Sequence, residues 1–172
     1  MAKAIMTHLL CYDDHHSFTD DIRKRFTDPS RYVVDSFVTF QDFIARCVRE
    51  REKKSCKVAI IGVPDAPEHF ELIEKFTGDI RKTDARISLI LLGPPDKMEE
   101  LKKIVKFNID AYIPKNSNAI VRIHNAVKKL ISEHTILVFR RRRNLSLYIL
   151  VAFMILAGLL FIIARIRLPE YF

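Results

Sequence analysis

The sequence predicts an α/β protein, a doubly wound parallel sheet of five strand–helix units, (βα)5, followed by one C-terminal transmembrane helix. Short apolar runs alternate along residues 4–132 with segments whose apolar residues recur every three or four positions. This alternation is typical of parallel βαβ units. Residues 145–164 carry no charged side chain, and a helix of that length spans about 30 Å, the thickness of the hydrocarbon core of a bilayer.

Five apolar runs are predicted to be strands. Residues 28–30 (Asp-Pro-Ser) break the chain before the second run, and residues 93–95 (Gly-Pro-Pro) end the fourth. The fourth run is apolar at nearly every position, which is typical of a strand buried on both faces. The predicted strands are residues 4–11, 32–38, 57–63, 87–92 and 111–114.

The segments after these strands place apolar residues on one face of a helix. Ser17 and Thr39 are positioned to cap the first two helices with their side-chain oxygens, and residues 65–67 (Asp-Ala-Pro) are expected to open the third. The predicted inward residues are Phe18, Ile22 and Phe26; Phe40, Phe43, Ile44 and Val48; Phe70, Ile73, Phe76 and Ile80; Met98, Leu101, Ile104 and Val105; and Ile120, Ile123, Val127, Leu130 and Ile131.

The apolar segment 145–164 is predicted to cross the membrane once, since a buried core helix would need a larger domain around it. Four arginines precede this segment and two follow it, so the flanking charge favours a cytoplasmic N-terminal domain at the cell inner membrane. The predicted parts are a domain at 1–132, an amphipathic basic connector at 133–144, the span at 145–164 and a short non-cytoplasmic tail at 165–172. The membrane-flank residues are Arg140, Arg141, Arg142 and Arg143.

Composition limits the chemistry that the chain can carry. Its formal charge of +8 motivates nucleic acid binding as one hypothesis, but the densest basic run abuts the apolar segment. We therefore expect these basic residues to contact membrane lipid, and we expect no nucleic acid partner. Cys11, Cys47 and Cys56 form no C-x-x-C pair and are interpreted as reduced packing residues. The sequence has no glycine-rich phosphate loop and no G-x-S-x-G elbow, so we predict no cofactor and no enzymatic activity.

Three local motifs lie on or directly after predicted strands. Asp13 and Asp14 follow the first strand, residues 58–64 (Val-Ala-Ile-Ile-Gly-Val-Pro) cover the third, and residues 110–115 (Asp-Ala-Tyr-Ile-Pro-Lys) cover the fifth. In this order, they make residues 4–132 resemble the receiver domain of bacterial response regulators, a CheY-like domain of flavodoxin-like topology. The resemblance covers most of the sequence before the predicted span.

The resemblance implies a phosphorylation site that this sequence does not complete. In the family, an acidic pair holds Mg²⁺ beside an aspartate at the end of strand three, which accepts phosphate from a histidine kinase, and a strand-five lysine pairs with the phosphoryl group. Asp13 and Asp14 match the acidic pair and Lys115 matches the lysine, but the phosphoacceptor position is Gly62. Glycine offers no nucleophile, so the resemblance implies a degenerate receiver with a remnant of the phosphate site.

Three further positions bear on this expectation. The family's strand-four hydroxyl residue is replaced by Leu92, and the proline that usually follows the lysine is replaced by Asn116. The family's aromatic switch position on strand five corresponds to Tyr112, which we interpret as a packing residue because the phosphoacceptor is missing.

A metal site of another kind is a second interpretation of the acidic loop. Asp65, His15 and His16 could join the acidic pair and supply oxygen and nitrogen ligands. The alternative, which we favour, is a solvated loop and helix N-terminus, where carboxylates are stabilised by the helix dipole.

Two segments are candidates for partner binding. Ile136, Leu137, Val138 and Phe139 are consecutively apolar and cannot all face one core, so either the helix continues into the lipid interface or these residues pack on another subunit. In receivers, the face formed by helix four, strand five and helix five commonly contacts partners. The resemblance therefore implies Met98, Leu101 and Tyr112 as partner-binding residues.

The leading hypothesis for function is a non-enzymatic, membrane-tethered pseudo-receiver. It would act as a protein-interaction or scaffold module, such as an accessory subunit of a respiratory, transport or motor complex. The alternative hypothesis is a signalling receiver that binds Mg²⁺ or responds to an unconventional phosphodonor.

Overall fold

The structure, a computed structural model, describes residues 6–13, 18–51, 55–64, 69–105 and 109–167, with side chains at all of these except 141, 142, 161 and 163–167. The chain divides into two compact units, Met1–Ser132 and Glu133–Phe172. The first unit contains the whole sheet, and the second is helical from Glu133 to Arg167.

Five parallel strands form a single sheet in the first unit. They are β1 (Thr7–Tyr12), β2 (Tyr32–Phe37), β3 (Cys56–Gly62), β4 (Ser88–Gly93) and β5 (Ala111–Pro114). Their order across the sheet is β2-β1-β3-β4-β5, and each neighbouring pair is parallel. This is the predicted doubly wound (βα)5 architecture, and the fold class is confirmed.

A helix follows each strand, as the periodicity predicted. The helices are α1 (Thr19–Arg25), α2 (Phe40–Glu50), α3 (Phe70–Thr83), α4 (Met98–Ile104) and α5 (Ala119–Arg167), and a 3-10 turn (Pro95–Lys97) precedes α4. The Thr39 side chain accepts a hydrogen bond from the backbone N–H of Asp42 at 3.2 Å, so the predicted cap of α2 is confirmed. Ser17 and residues 65–67 lie outside the described residues.

The sheet is covered on both faces, and successive strand residues alternate between two cores. Leu10 of β1 and Ile61 of β3 face one core, which α2, α3 and α4 close. Leu9 and Ile60 face the other core, which α1 and the first turns of α5 close. This burial on both faces explains why β3 and β4 have mostly apolar sequences.

One inward residue was predicted wrongly. Val48 of α2 is 53% exposed, whereas its neighbour Cys47 is fully buried. The inward face of α2 passes through Phe43 and Cys47, which are four positions apart, and Val48 lies about 100° further around the helix. Cys47 therefore packs in the core, and Val48 is exposed to solvent.

The predicted connector is helical and belongs to the same helix as the apolar segment. α5 runs from Ala119 to Arg167 without a break, so residues 133–144 form no separate loop or turn. This helix contains a stretch that is long and apolar enough to cross a membrane. It is a candidate membrane span, and its described side chains from Leu145 to Leu160 are exposed.

A buried ion pair closes the amino edge of the sheet. Lys57 of β3 places Nζ 2.7 Å from Oδ2 of Asp84, the residue that directly follows α3. The two side chains are 2% and 3% exposed. Arg86 Nε donates to the other carboxylate oxygen at 3.1 Å. Burial alone would raise the pKa of Asp84, but the hydrogen bonds from Lys57 and Arg86 outweigh it and lower the pKa below its ordinary value.

We predict that Asp84→Asn lowers the free energy of unfolding by about 3 to 5 kcal/mol, because it leaves the buried Lys57 ammonium without its counter-charge. The measurement is thermal unfolding of the full chain in mild detergent, followed by circular dichroism. The matched control is the double variant Lys57→Met/Asp84→Leu, which should cost less than the single change because it removes both charges together.

The same pair predicts the acid limit of stability. The folded pKa of Asp84 is lower than its unfolded value of roughly 4, so its stabilising effect is complete above that value. It is lost as the pH falls through the folded pKa. The destabilising effect of Asp84→Asn should therefore shrink at strongly acid pH, and an effect that stays constant would contradict this account.

Candidate functional site

The candidate site lies at the carboxyl edge of the sheet, where β1 pairs with both β2 and β3. Asp13 follows β1, Gly62 ends β3, and Lys115 follows β5. Leu92 of β4 is the register partner of Gly62. The structure thus brings these four predicted positions to one edge, the place where open α/β sheets bind ligands. Asp14 lies outside the described residues.

Asp13 is buried and helps to position the start of α1. Its exposed fraction is 1%, and its backbone N–H donates to the carbonyl oxygen of Phe37 at 3.2 Å, beyond the end of the β1–β2 ladder. Its carboxylate accepts a hydrogen bond from the backbone N–H of Phe18 at 3.4 Å. The carboxylate therefore binds the residue that immediately precedes α1.

The space beside Gly62 is filled by Phe18 and Asp13. A Cβ atom on Gly62 would lie 2.8 Å from Cε1 of the Phe18 ring and 3.0 Å from Oδ1 of Asp13. The carbonyl oxygen of Tyr12 would be 3.3 Å away. Contacts this short force the neighbours to move, and the Tyr12 backbone is held in the sheet. Any larger residue at this position therefore requires its neighbours, the Phe18 ring first, to shift.

Lys115 lies at the rim of an open cleft beside this packed centre. Its backbone N–H donates to the carbonyl oxygen of Gly93 at 2.8 Å, and its side chain lines a cleft of about 330 Å³ together with Phe18, Asp21 and Leu92. Asn116 accepts a hydrogen bond from the backbone N–H of Asn118 through Oδ1 at 3.1 Å. This turn leads into α5.

The described part of the site does not fit a Mg²⁺ ion. Mg²⁺ is bound through several oxygen ligands in near-octahedral geometry. At the end of β1 the described residues supply one carboxylate, that of Asp13, and the Phe18 ring lies beside it. Within the described ranges, no group of three or more histidine, cysteine, aspartate or glutamate residues is arranged to hold a metal. The other predicted ligands, Asp14, His15, His16 and Asp65, lie outside those ranges.

Two predicted partner-binding residues, Met98 and Leu101, have buried side chains that pack in the core. Met98 is 8% exposed and Leu101 is 0% exposed. Both pack in the core that α4 helps to close, and Leu101 Cδ2 lies so near Gly93 that a Cβ there would be 2.7 Å from it. Since each is an inward residue of α4, neither side chain is available to a partner.

Tyr112 is half-buried and held by a hydrogen bond. Its hydroxyl donates to the carbonyl oxygen of Val105, directly after α4, and its ring packs against the core beneath α4. Burial raises the pKa of the phenol, and the nearby Lys102 lowers it by a smaller amount. These contacts agree with its interpretation as a packing residue.

The apolar connector residues are mostly exposed in the unit Glu133–Phe172, as a contact surface requires. Ile136, Leu137 and Phe139 are 48%, 64% and 55% exposed, and Val138 is half-buried. Arg140 and Arg143 are exposed. The side chains of Arg141 and Arg142 are outside the description.

Phe18 is the site residue that sequence reasoning missed. Its spacing to Ile22 and Phe26 predicted only that it faces the core, whereas its ring lies against Gly62 and also lines the cleft. The available signal was a glycine that ends an otherwise bulky strand, together with an aromatic residue at the start of the helix after β1. A glycine of this kind indicates that another group approaches closely.

Solved structures with the same fold are found over about three quarters of the chain. A response regulator receiver domain from Clostridium thermocellum matches with a TM-score of 0.58 and 14% identity, over 77% of this chain and 99% of that one. The chain has the receiver fold. A CheY-like receiver domain from Methanospirillum hungatei matches with a TM-score of 0.53 and 21% identity, over 76% and 97% of the two chains.

A third neighbour is a pilus assembly-related protein from Burkholderia pseudomallei. Its TM-score is 0.53 and its identity 13%, over 74% of this chain and 90% of that one. No family model matches the sequence, and no curated protein does. The three structural matches therefore describe the fold of the first unit, which is the expected receiver-like fold.

We predict that Gly62→Ala destabilises the chain by about 1 to 3 kcal/mol, the usual cost of overpacking a core. In a Phe18→Ala background the same change should cost less, because the nearest contact is then absent, and the coupling should exceed about 0.5 kcal/mol. Thermal unfolding of the four chains in mild detergent measures this cycle.

Gly78→Ala is the matched control for this cycle. A Cβ on Gly78 meets no atom within 4 Å, and Gly78 lies inside α3. Alanine should therefore be neutral or stabilise the helix by up to about 1 kcal/mol. Equal losses for Gly62→Ala with and without Phe18 would show that the ring does not determine the cost.

Proposed function

We propose that this chain is a membrane-anchored, receiver-like module that carries no phosphotransfer chemistry and acts by docking other proteins. The observation that carries the proposal is the packing around Gly62. A receiver that accepts phosphate needs a carboxylate nucleophile at the end of strand three. Here that position has no side chain, and the Phe18 ring lies 2.8 Å from where its first carbon would be.

The neighbouring positions support the same conclusion. Leu92, which replaces the family's hydroxyl residue, is 1% exposed and packs in the core, so it can neither donate a hydrogen bond nor turn freely toward a phosphoryl group. Tyr112 is held through its hydroxyl by Val105. Two positions through which a receiver would respond to phosphate, Leu92 and Tyr112, are thus apolar or already hydrogen-bonded.

The membrane anchor is the second part of the proposal. Residues 145–164 are uncharged, helical and about 30 Å long, which equals the hydrocarbon thickness. Arginines dominate the side before this segment, so we place the first unit in the cytoplasm at the inner membrane. Because an exposed helix of this composition would aggregate in water, a bilayer is the environment that suits it.

The docking role is supported by exposed apolar side chains on the surface. Tyr112 is partly accessible, and Ile136, Leu137 and Phe139 are exposed apolar residues outside the predicted span. The candidate partners are subunits of a membrane complex, whether respiratory, transport or motor. Pilus machinery is a further candidate, because a protein of the same fold is related to pilus assembly.

A signalling receiver is the alternative, and the retained Asp13 and Lys115 favour it. Both residues lie at the carboxyl edge of the sheet, where the family's acidic pair and lysine act. In this alternative the chain binds Mg²⁺ or responds to an unconventional phosphodonor through residues outside the described ranges.

We predict that the full chain in mild detergent takes up no phosphoryl group from acetyl phosphate with Mg²⁺, as measured by intact mass spectrometry. Beryllofluoride with Mg²⁺ should leave the amide NMR signals of Asp13, Gly62 and Lys115 unchanged. The control is Asp13→Asn. A saturable response of the natural chain that is lost in Asp13→Asn would favour the signalling alternative and contradict this part of the proposal.

We predict that the full chain stays in the membrane pellet after alkaline carbonate extraction and that a chain ending at Ser132 does not. Gentle detergent extraction should then co-purify a partner with the natural chain. The triple replacement of Ile136, Leu137 and Phe139 by serine should keep the chain in the membrane and reduce the retained partner at least tenfold, because it removes three exposed apolar contacts.

The matched control for the serine variant is Val48→Ser, which removes an apolar side chain of similar exposure from α2. A natural chain that partitions into the soluble fraction would refute the anchor. An unchanged set of co-purifying proteins in the triple variant would refute docking through the connector.

A further inference from the structure

The helical turn at residues 140–143 places four arginine positions around the whole helix axis. Successive residues of an α-helix lie 100° apart, so these four consecutive positions surround α5. The arginines form what we call the arginine collar, residues 140–143 of the unit Glu133–Phe172. Arg140 and Arg143, whose side chains are described, are both exposed.

The collar lies where lipid phosphates are found if residues 145–164 fill the hydrocarbon core. Its residues precede the span by two to five positions, which is about 3 to 8 Å along a helix axis. The headgroup layer extends about 5 to 8 Å beyond the hydrocarbon on each side. The four collar positions therefore fall at the depth of the headgroups, and the turn at 136–139 lies just outside that layer.

The charge of the collar is not neutralised by the described part of its own unit. Residues 133–144 contain four arginines and one acidic residue, Glu133, and the collar lies more than one turn beyond it. Neither Arg140 nor Arg143 forms an ion pair with any described carboxylate. A guanidinium is suited to phosphate because its planar fork can donate two parallel hydrogen bonds to one group.

We infer that the arginine collar binds the phosphate groups of anionic phospholipids, so that the chain selects acidic over zwitterionic lipids. This inference rests on the proposed function, because it takes the membrane anchor as given. A zwitterionic headgroup neutralises its own phosphate, whereas an anionic headgroup brings a net negative charge to the collar. Each basic residue at an anionic surface strengthens binding roughly fivefold, so four of them produce a marked preference.

The test is native mass spectrometry of the full chain in mild detergent with equimolar phosphatidylglycerol and phosphatidylcholine of the same acyl chains. The natural chain should retain phosphatidylglycerol at least tenfold more than phosphatidylcholine. Replacement of all four collar arginines by glutamine should reduce the ratio to near one, and replacement by lysine should leave an intermediate ratio because charge remains without the fork.

The control variant is Arg122→Gln/Lys128→Gln/Lys129→Gln, which removes basic residues of α5 more than ten positions from the collar. It should keep the preference of the natural chain. Equal retention of the two lipids by the natural chain would overturn the inference, as would a preference that persists in the glutamine variant. Loss of bound lipid on adding millimolar inorganic phosphate would also overturn it, since that result indicates a site for a free anion.

Failure of this inference can be distinguished from failure of the proposed function. A chain that remains in the membrane after carbonate extraction but shows no lipid preference refutes only the collar. A chain that leaves the membrane refutes the anchor itself.

Discussion

The contact between the Phe18 ring and Gly62 is the constraint on which the carboxyl edge of the sheet depends. β3 passes close beside this ring at its last residue, where a side chain would lie within 3 Å of the ring. Asp13 contributes by accepting the Phe18 backbone N–H, which helps to position the residue before α1. One aromatic ring, one glycine and one buried carboxylate thus occupy the centre of the edge and leave the cleft at its rim.

This arrangement uses a receiver-like fold in an unusual way. The carboxyl edge of a doubly wound sheet is where such folds place their chemistry, because the loops there can vary while the sheet stays rigid. In this chain a glycine, an aromatic ring and the buried Asp13 are closely packed at the centre of that edge, and a buried ion pair between Lys57 and Asp84 lies at the opposite edge.

Local sequence patterns were sufficient to predict the architecture. Apolar runs and helical periodicity identified five strands and five helices in the correct order, and the Thr39 cap was predicted from one hydroxyl residue before an apolar pattern. Predicted and observed strand ends differ by one residue at most, except at the start of β1, where the difference is three, since a run of similar side chains does not show where the ladder begins or stops. Val48 was misassigned because it adjoins Cys47, and both residues suit a core.

The site was only half predictable, because its decisive contacts join residues distant in sequence. Gly62 was recognised as a missing nucleophile, but the reason for it is a ring 44 positions earlier. The Lys57–Asp84 pair is separated by 27 positions and has no local signature. Met98 and Leu101 could have been assigned correctly, since the periodicity that placed them on the inward face of α4 already excluded them from a contact surface.

The packing at Gly62 also affects how this chain could evolve. A change of Gly62 to aspartate alone would push a carboxylate into a space that holds an aromatic ring and an existing carboxylate, so the first step would cost stability before any reactivity could appear. A phosphoacceptor would need Phe18 to become smaller first, and that intermediate would have a cavity in place of the ring. The two substitutions are therefore coupled, and a carboxylate at position 62 would require both changes.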